Sequence, residues 1–177
     1  MGIANWSTIE DTIQAQIAAG SGIAGASVRW ADQSRDAPAS GDSVRLAITN
    51  GATVGHAEEH EINNPTPSAG NEILLREHEH LEFDVEVQFF SMTPHGNSSA
   101  WARARTTSSY LQRDDVTENL FAAGLALVSV DRVQRAPAVL ETEIQDRAVF
   151  TARFRTLDGS EQATTYIERA EWVGSLT

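Results

Sequence analysis

The stretch that decides the fold runs from Arg76 to Ser91 and reads REHEHLEFDVEVQFFS. From Glu82 onward its polarity alternates with a period of two. Phe83, Val85, Val87 and Phe89 fall on one side of an extended chain, and Glu82, Asp84, Glu86 and Gln88 fall on the other. That pattern predicts a β-strand with a dry face and a carboxylate face. A row of carboxylates is ill suited to holding phosphates, and it fits a surface that repels polyanions or meets a basic partner.

Working outward, REHEH continues the strand toward its N-terminal side, where EILLREHEH (72–80) and HAEEHEI (56–62) flank NNPTPSAGN. The prolines, asparagines and glycine of the latter predict a wide turn, and so a long hairpin over about 55–80. This hairpin carries Glu58, Glu59, Glu61, Glu72, Glu77 and Glu79. Directly opposed like charges cost some tenths of a kcal/mol per pair, so the hairpin is expected to project toward a partner.

Before it, Trp6, Ile9, Ile13 and Ile17 recur at helical spacing behind a Ser7/Glu10 capping box, with Gly20 as the expected stop. Strands are expected over Ala26–Trp30 and Ser43–Thr49, joined by the polar loop DQSRDAPASGD. After the acidic strand, a helix is expected from about Ser98 to Gln112, with Trp101, Ala104 and Leu111 on one stripe. A shorter helix capped by Asp115 and Glu118 should end at Ala123, before Gly124. Strands over Ala126–Val133 and Glu141–Thr156 follow, the latter with Ala148, Phe150, Ala152 and Phe154 inward. Asp158-Gly159 is then read as a turn into a last strand, Ala163–Val173. The expected architecture is one α+β domain over 1–177: an antiparallel sheet, one to three flanking helices and a projecting hairpin.

Composition limits the chemistry. The chain of 177 residues has 13 basic against 25 acidic residues, a net charge of −12; all the basic ones are arginine, and there is no cysteine. Without lysine there is no Schiff-base nucleophile and no complete P-loop. Without cysteine there is no thiolate catalysis, zinc ribbon or disulfide framework. No apolar run approaches the ~18 residues of a membrane span, and the start MGIANWST has no signal-peptide pattern, so a soluble protein made in the cytoplasm is expected.

Gly20, Gly22 and Gly25 spell G-x-G-x-x-G in the wrong order, after a helix and before a strand, which reads as a connection and not as a dinucleotide site. The HAEEH of 56–60 lacks the glutamate that a zinc protease places directly after its first histidine. A weaker metal-site alternative would gather His56, His78 and His80 across the hairpin. No G-x-S-x-G elbow occurs, and the arginines do not cluster into a nucleic-acid groove. Arg147, Arg153 and Arg155 share one face of a late strand. Two readings stay open there: local pairing with glutamates, or an arginine strip that meets the acidic strand of a neighbouring subunit.

Three passages resemble the tail terminator (neck) proteins of long-tailed bacteriophages. They are the opening helix with VRWADQSRDAP and VRLAITNGATVGHAEEHE, the strand REHEHLEFDVEVQFF, and the ending LETEIQDRAVFTARFRT with TTYIERAEWVG. The resemblance implies a ring-forming subunit with no enzymatic activity and no cofactor. Such a subunit caps the tail tube as a homo-hexamer, ends tube growth and offers a surface to the head–tail connector or head-completion protein. DNA would pass through without specific binding, and the protein would reside in the virion after assembly in the host cytoplasm. On that reading Glu82, Asp84, Glu86, Arg147, Arg153 and Arg155 line the passage or the subunit interface, while Glu58, Glu59, Glu61, Glu77 and Glu79 face a partner. The alternatives are a connector subunit of the same neck, a histidine-rich metal-binding module or enzyme, and a monomeric binding domain.

Overall fold

The computed structural model describes residues 5–31, 41–63, 73–93, 95–136, 138–140 and 143–164. Helix α1 is Trp6–Ser21, followed by a 3₁₀ turn at Gly25–Ser27 and strand β1, Val28–Trp30. Strands β2, Ser43–Asn63, and β3, Ile73–Ser91, come next, then helices α2, Ala100–Leu111, and α3, Asp114–Ala122. The chain closes with β4, Leu125–Val130, the short β5, Gln134–Arg135, and β6, Ala138–Leu140, and the long β7, Glu143–Thr164. The fold is α+β with a mixed open sheet in the order β1-β2-β3-β7-β4, and β5 and β6 also pair with β7. Only β1 and β2 run parallel; every other pair is antiparallel.

The dry face read from the sequence is the core. Phe83, Val85, Val87 and Phe89 are buried, as are Ala148, Phe150, Ala152 and Phe154 on β7 and Val44 and Leu46 on β2. Phe83 lies directly opposite Phe154, and their rings stack at 5.8 Å. Phe89 and Phe150 stack diagonally at 5.9 Å. The alternation of alanine and phenylalanine on β7 leaves shallow places over which α2 lies close, and α2 turns its own small residues Ala100, Ala104 and Thr107 inward. Ile9, Ile13 and Ile17 of α1 are buried in the same core.

Several local readings need correction. The cap of α1 is Asn5, whose side chain accepts from Ser7 N–H at 3.0 Å, so the helix starts two residues before the expected boundary signal takes effect. Gly20 does not end α1. It sits inside the helix because a Cβ there would stand 2.7 Å from the Tyr110 ring of α2; the stop is Gly22, in the left-handed conformation at φ 64°. Asp115 lies within the first turn of α3 and is not its cap; the N-cap position is Arg113, which makes no side-chain capping bond and instead grips Asp115 through two hydrogen bonds.

Two expected strands, Ser43–Thr49 and 56–62, are one strand, β2, bent by register shifts between Ile48 and Asn50 and between Val54 and Glu58. Gly55, at φ 91°, supplies the left-handed residue at the second shift. The expected turn at Asp158-Gly159 is absent. There β7 continues straight, with Asp158 opposite Glu79 and Gly159 opposite His78, and it follows β3 to the pair Ile73–Thr164. The hairpin of β2 and β3 is thus the first two strands of a three-stranded blade. The wide turn over NNPTPSAGN beyond Asn63, Glu72, most of the DQSRDAPASGD loop and the last expected strand beyond Thr164 lie outside the described residues.

A polar network joins the ends of these elements. The Ser91 hydroxyl donates to Asp42 Oδ1 at 2.7 Å, Asp42 Oδ2 accepts from Arg103 at 2.8 Å, and Arg103 also donates to the Ser21 carbonyl at 3.1 Å. It ties the start of β2, the end of β3, the end of α1 and the body of α2 to one another.

Candidate assembly surface

All three helices pack on the side of the sheet that carries the phenylalanines. The other face is left open among the described residues, and it is where the acidic strand turns its polar side. Because β3 and β7 are antiparallel and in unbroken register, Glu82 stands opposite Arg155 and Asp84 opposite Arg153. Arg153 donates to both carboxylate oxygens of Asp84, at 2.7 and 3.2 Å, in a forked geometry. Arg155 donates to Glu82 Oε1 through Nε at 2.9 Å and closely through Nη2. Further along, the Gln88 amide donates to Glu86, and the Arg147 guanidinium lies over the Phe90 ring at 5.5 Å.

The hydrogen bonds from Arg153 hold the Asp84 carboxyl below its ordinary range, outweighing the opposing effect of partial burial; the Arg153 charge and a hydrogen bond involving Asn50 act in the same direction. Arg153 is raised in turn, first by its bond to Asp84. Arg153 and Arg155 therefore pair locally, within one subunit, as the first of the two open readings had it, whereas Arg147 makes no carboxylate pair on this face among the described residues. Arg45, which the sequence pattern did not single out, joins the same face opposite Gln88. On β2, β3 and the part of β7 from Arg147 to Arg155, three carboxylates thus share the open face with four guanidiniums. The stripe that reads as a carboxylate wall in sequence is charge-balanced in space.

The acidity is elsewhere. Over 56–63, 73–80 and 157–164, the three arms of the blade, stand seven carboxylates and one arginine, which is half of the net charge of −12. Glu58 is opposite His78, Glu59 opposite Glu77 and Glu61 opposite Leu75. Glu79 is opposite Asp158 of β7 and, toward β2, accepts from the Thr53 hydroxyl at 3.3 Å. The three histidines do not converge as the metal alternative required. His80 is opposite Val54, His78 is opposite Glu58, and His56 falls in the bulge between them. Among the described residues no group of three or more His, Cys, Asp or Glu side chains is arranged to hold a metal ion.

Sequence reasoning also passed over the apolar edge of the sheet. A groove of about 440 Å³ between α3 and β4 is lined by Thr117, Phe121, Leu125 and Leu127 among others, and Phe121 is 66% exposed. Its signal was negative: GLALVSV (124–130) has no charged residue.

The described surface thus carries a broad open sheet face, a charged three-stranded blade and an apolar edge groove. Among the described residues no helix is long and apolar enough to cross a membrane. The chain belongs to the phage neck terminator protein family, which matches it over residues 7–177. It is accordingly a structural component of the bacteriophage virion, in the neck region of the tail, where it associates with tail and head proteins. No curated protein matches the sequence.

Proposed function

We propose that six copies of this chain close into a ring on the last ring of tail-tube subunits, end tube polymerisation and present the surface to which the head–tail connector or head-completion protein attaches. The ring has no catalytic role and carries no cofactor. Its open sheet face, with Glu82, Asp84, Glu86, Arg147, Arg153 and Arg155, borders the passage for DNA. The observation that carries this reading is the separation of charge within one sheet: a balanced open face below and an acidic blade above.

Duplex DNA carries one charge per ~1.7 Å of axis, so a passage bordered by unpaired arginines would grip it. Pairing Arg153 with Asp84 and Arg155 with Glu82 across the strands weakens that grip. The blade, with Glu58, Glu59, Glu61, Glu77 and Glu79, supplies the repulsion, which acts within roughly 8 Å at physiological salt. The same carboxylates offer a docking charge to a basic surface on the partner that joins the head.

Mixing the purified chain with purified tail tubes tests the proposal. Tubes should stop growing and show a terminal ring by electron microscopy, and the mass of the detached ring should be six times that of the chain. Tubes that lengthen unchecked in excess protein would refute it.

A further inference from the structure

Resting on the ring reading above, we infer that the ring is sealed by a β-seam: the outer edge of β4 in one copy pairs antiparallel with the outer edge of β2, over Ala47–Val54, in the next. Open sheet edges are usually guarded by charges, proline, bulges or a covering element against such pairing; among the described residues the two edges here carry only the register shifts at Ile48/Asn50 on β2 and Leu127/Ser129 on β4. This chain is 21% charged, yet AITNGATVG (47–55) on one edge and GLALVSV (124–130) on the other have no charged residue. Both edges also expose large apolar side chains, Ile48 and Val54 on β2, Val128 on β4 and Phe121 beside it. Among the described residues, β1 covers β2 only as far as Leu46 and nothing covers the outer side of β4.

Direction, face and hydrogen-bonding polarity agree. Counting antiparallel steps from β2 through β3 and β7 to β4 leaves β4 running opposite to β2. Copies related by a ring axis keep their strand directions along that axis, so β4 meets the next β2 antiparallel. Ile48 is opposite the buried Val85 and so lies on the helix-bearing side. When the sheet continues across the seam, that side is also where the groove between α3 and β4 opens, and the neighbour's Ile48 enters beside Phe121, Leu125 and Leu127. The Leu46 carbonyl is turned to the outer edge, where it accepts from Ala31 N–H at 2.7 Å. Two residues on, Ile48 presents its own N–H and C=O the same way. Each copy has a net charge of −12, so an uncharged seam is also the approach least opposed by repulsion.

The absence of native cysteine makes the test clean. In one chain β2 and β4 are three strand spacings apart, roughly 14 Å, and α3, which carries Phe121, packs on the β4 side of the sheet, so cysteines at 48 and 121 cannot join within a copy. Rings of an Ile48→Cys/Phe121→Cys variant, assembled on purified tail tubes and oxidised, should run on a non-reducing gel as a covalent ladder ending at the ring number. Each single variant should remain monomeric. Assembled rings of the double variant that yield only monomer would overturn the seam.

Hydrogen exchange on the unsubstituted protein gives an independent answer should the double variant not assemble. Amides of Ala47–Val54 and Leu125–Val130 should slow by roughly tenfold or more on ring formation. Rings without that protection overturn the seam while leaving the ring itself standing, whereas an unsubstituted protein that forms no ring on tubes overturns both.

Discussion

Replacing Gly159 by alanine discriminates the three-stranded blade from the turn that Asp158-Gly159 suggests in sequence. A Cβ at this position would stand 2.5 Å from the Glu77 carbonyl oxygen and 3.0 Å from His78 Nδ1. Ordinary contact needs about 3.5 Å, so β7 and β3 must part by roughly 1 Å there, which stretches the adjoining hydrogen bonds beyond their useful range. Overpacking of this kind costs about 1–3 kcal/mol. Lower entropy of the unfolded chain returns about 0.4–1 kcal/mol, so the net local loss is about 1–2 kcal/mol. Exchange of amides in the outer blade, 73–77 and 160–164, should then quicken roughly 5–30-fold. Amides of Ala148–Thr156, held between β3 on one side and β5 and β4 on the other, should be unchanged. Hydrogen exchange by mass spectrometry on peptides from the two regions reads this directly. Unchanged or slower exchange in the outer blade would refute the close approach of β7 to β3, and with it the third strand.

Four further outcomes are expected. Replacing Glu82 and Glu86 by glutamine and Asp84 by asparagine should leave the fold intact but leave four guanidiniums unbalanced on the open face; assembled particles should then eject DNA more slowly, most of all at low salt, as an ejection assay at two ionic strengths would show. Because Asp84 is depressed in the folded state, its contribution to stability is present above the unfolded value of ~3.9 and is lost as the pH falls through the folded value. Thermal melts should therefore show a loss in acid that Asp84→Asn lacks. Arg103→Ala should cost about 1–3 kcal/mol by leaving Asp42 Oδ2 and the Ser21 carbonyl without their Arg103 donor, seen as a Tm lowered by about 2–4 °C per kcal/mol. Gly20→Ala should destabilise despite alanine's helix propensity, since the Tyr110 ring must move; a higher Tm would contradict the tight crossing of α1 and α2.

What was legible in the sequence was whatever repeats along the chain. Period-two alternation in Glu82–Phe89 and Ala148–Phe154 gave both core strands and their inward faces, and the spacing of Ile9, Ile13 and Ile17 gave the buried side of α1. Glycine was the hard case, because one residue type serves two physical needs. Gly20 and Gly159 look like a helix stop and a turn, yet both are there to admit a neighbour, Tyr110 in one case and the Glu77 carbonyl in the other. Local sequence does not record what approaches from elsewhere in the chain. For the same reason the charge balance of the open face was out of reach: the carboxylates of β3 and the arginines of β7 are about 70 positions apart, and only the register brings them together. The bulges of β2 also work against the weaker histidine-cluster alternative, since each inserted residue shifts everything beyond it.

The place of β7 in the sheet also has a consequence for synthesis. This strand pairs with β3 on one side and with β4, β5 and β6 on the other, yet it is the last strand of the described chain to be made. Until it leaves the ribosome, the sheet has two flanks and no middle, and the stacked partners of Phe83 and Phe89 do not exist. Contacts this distant in sequence form late and slowly. A chain cut short before Phe150 therefore cannot complete the core.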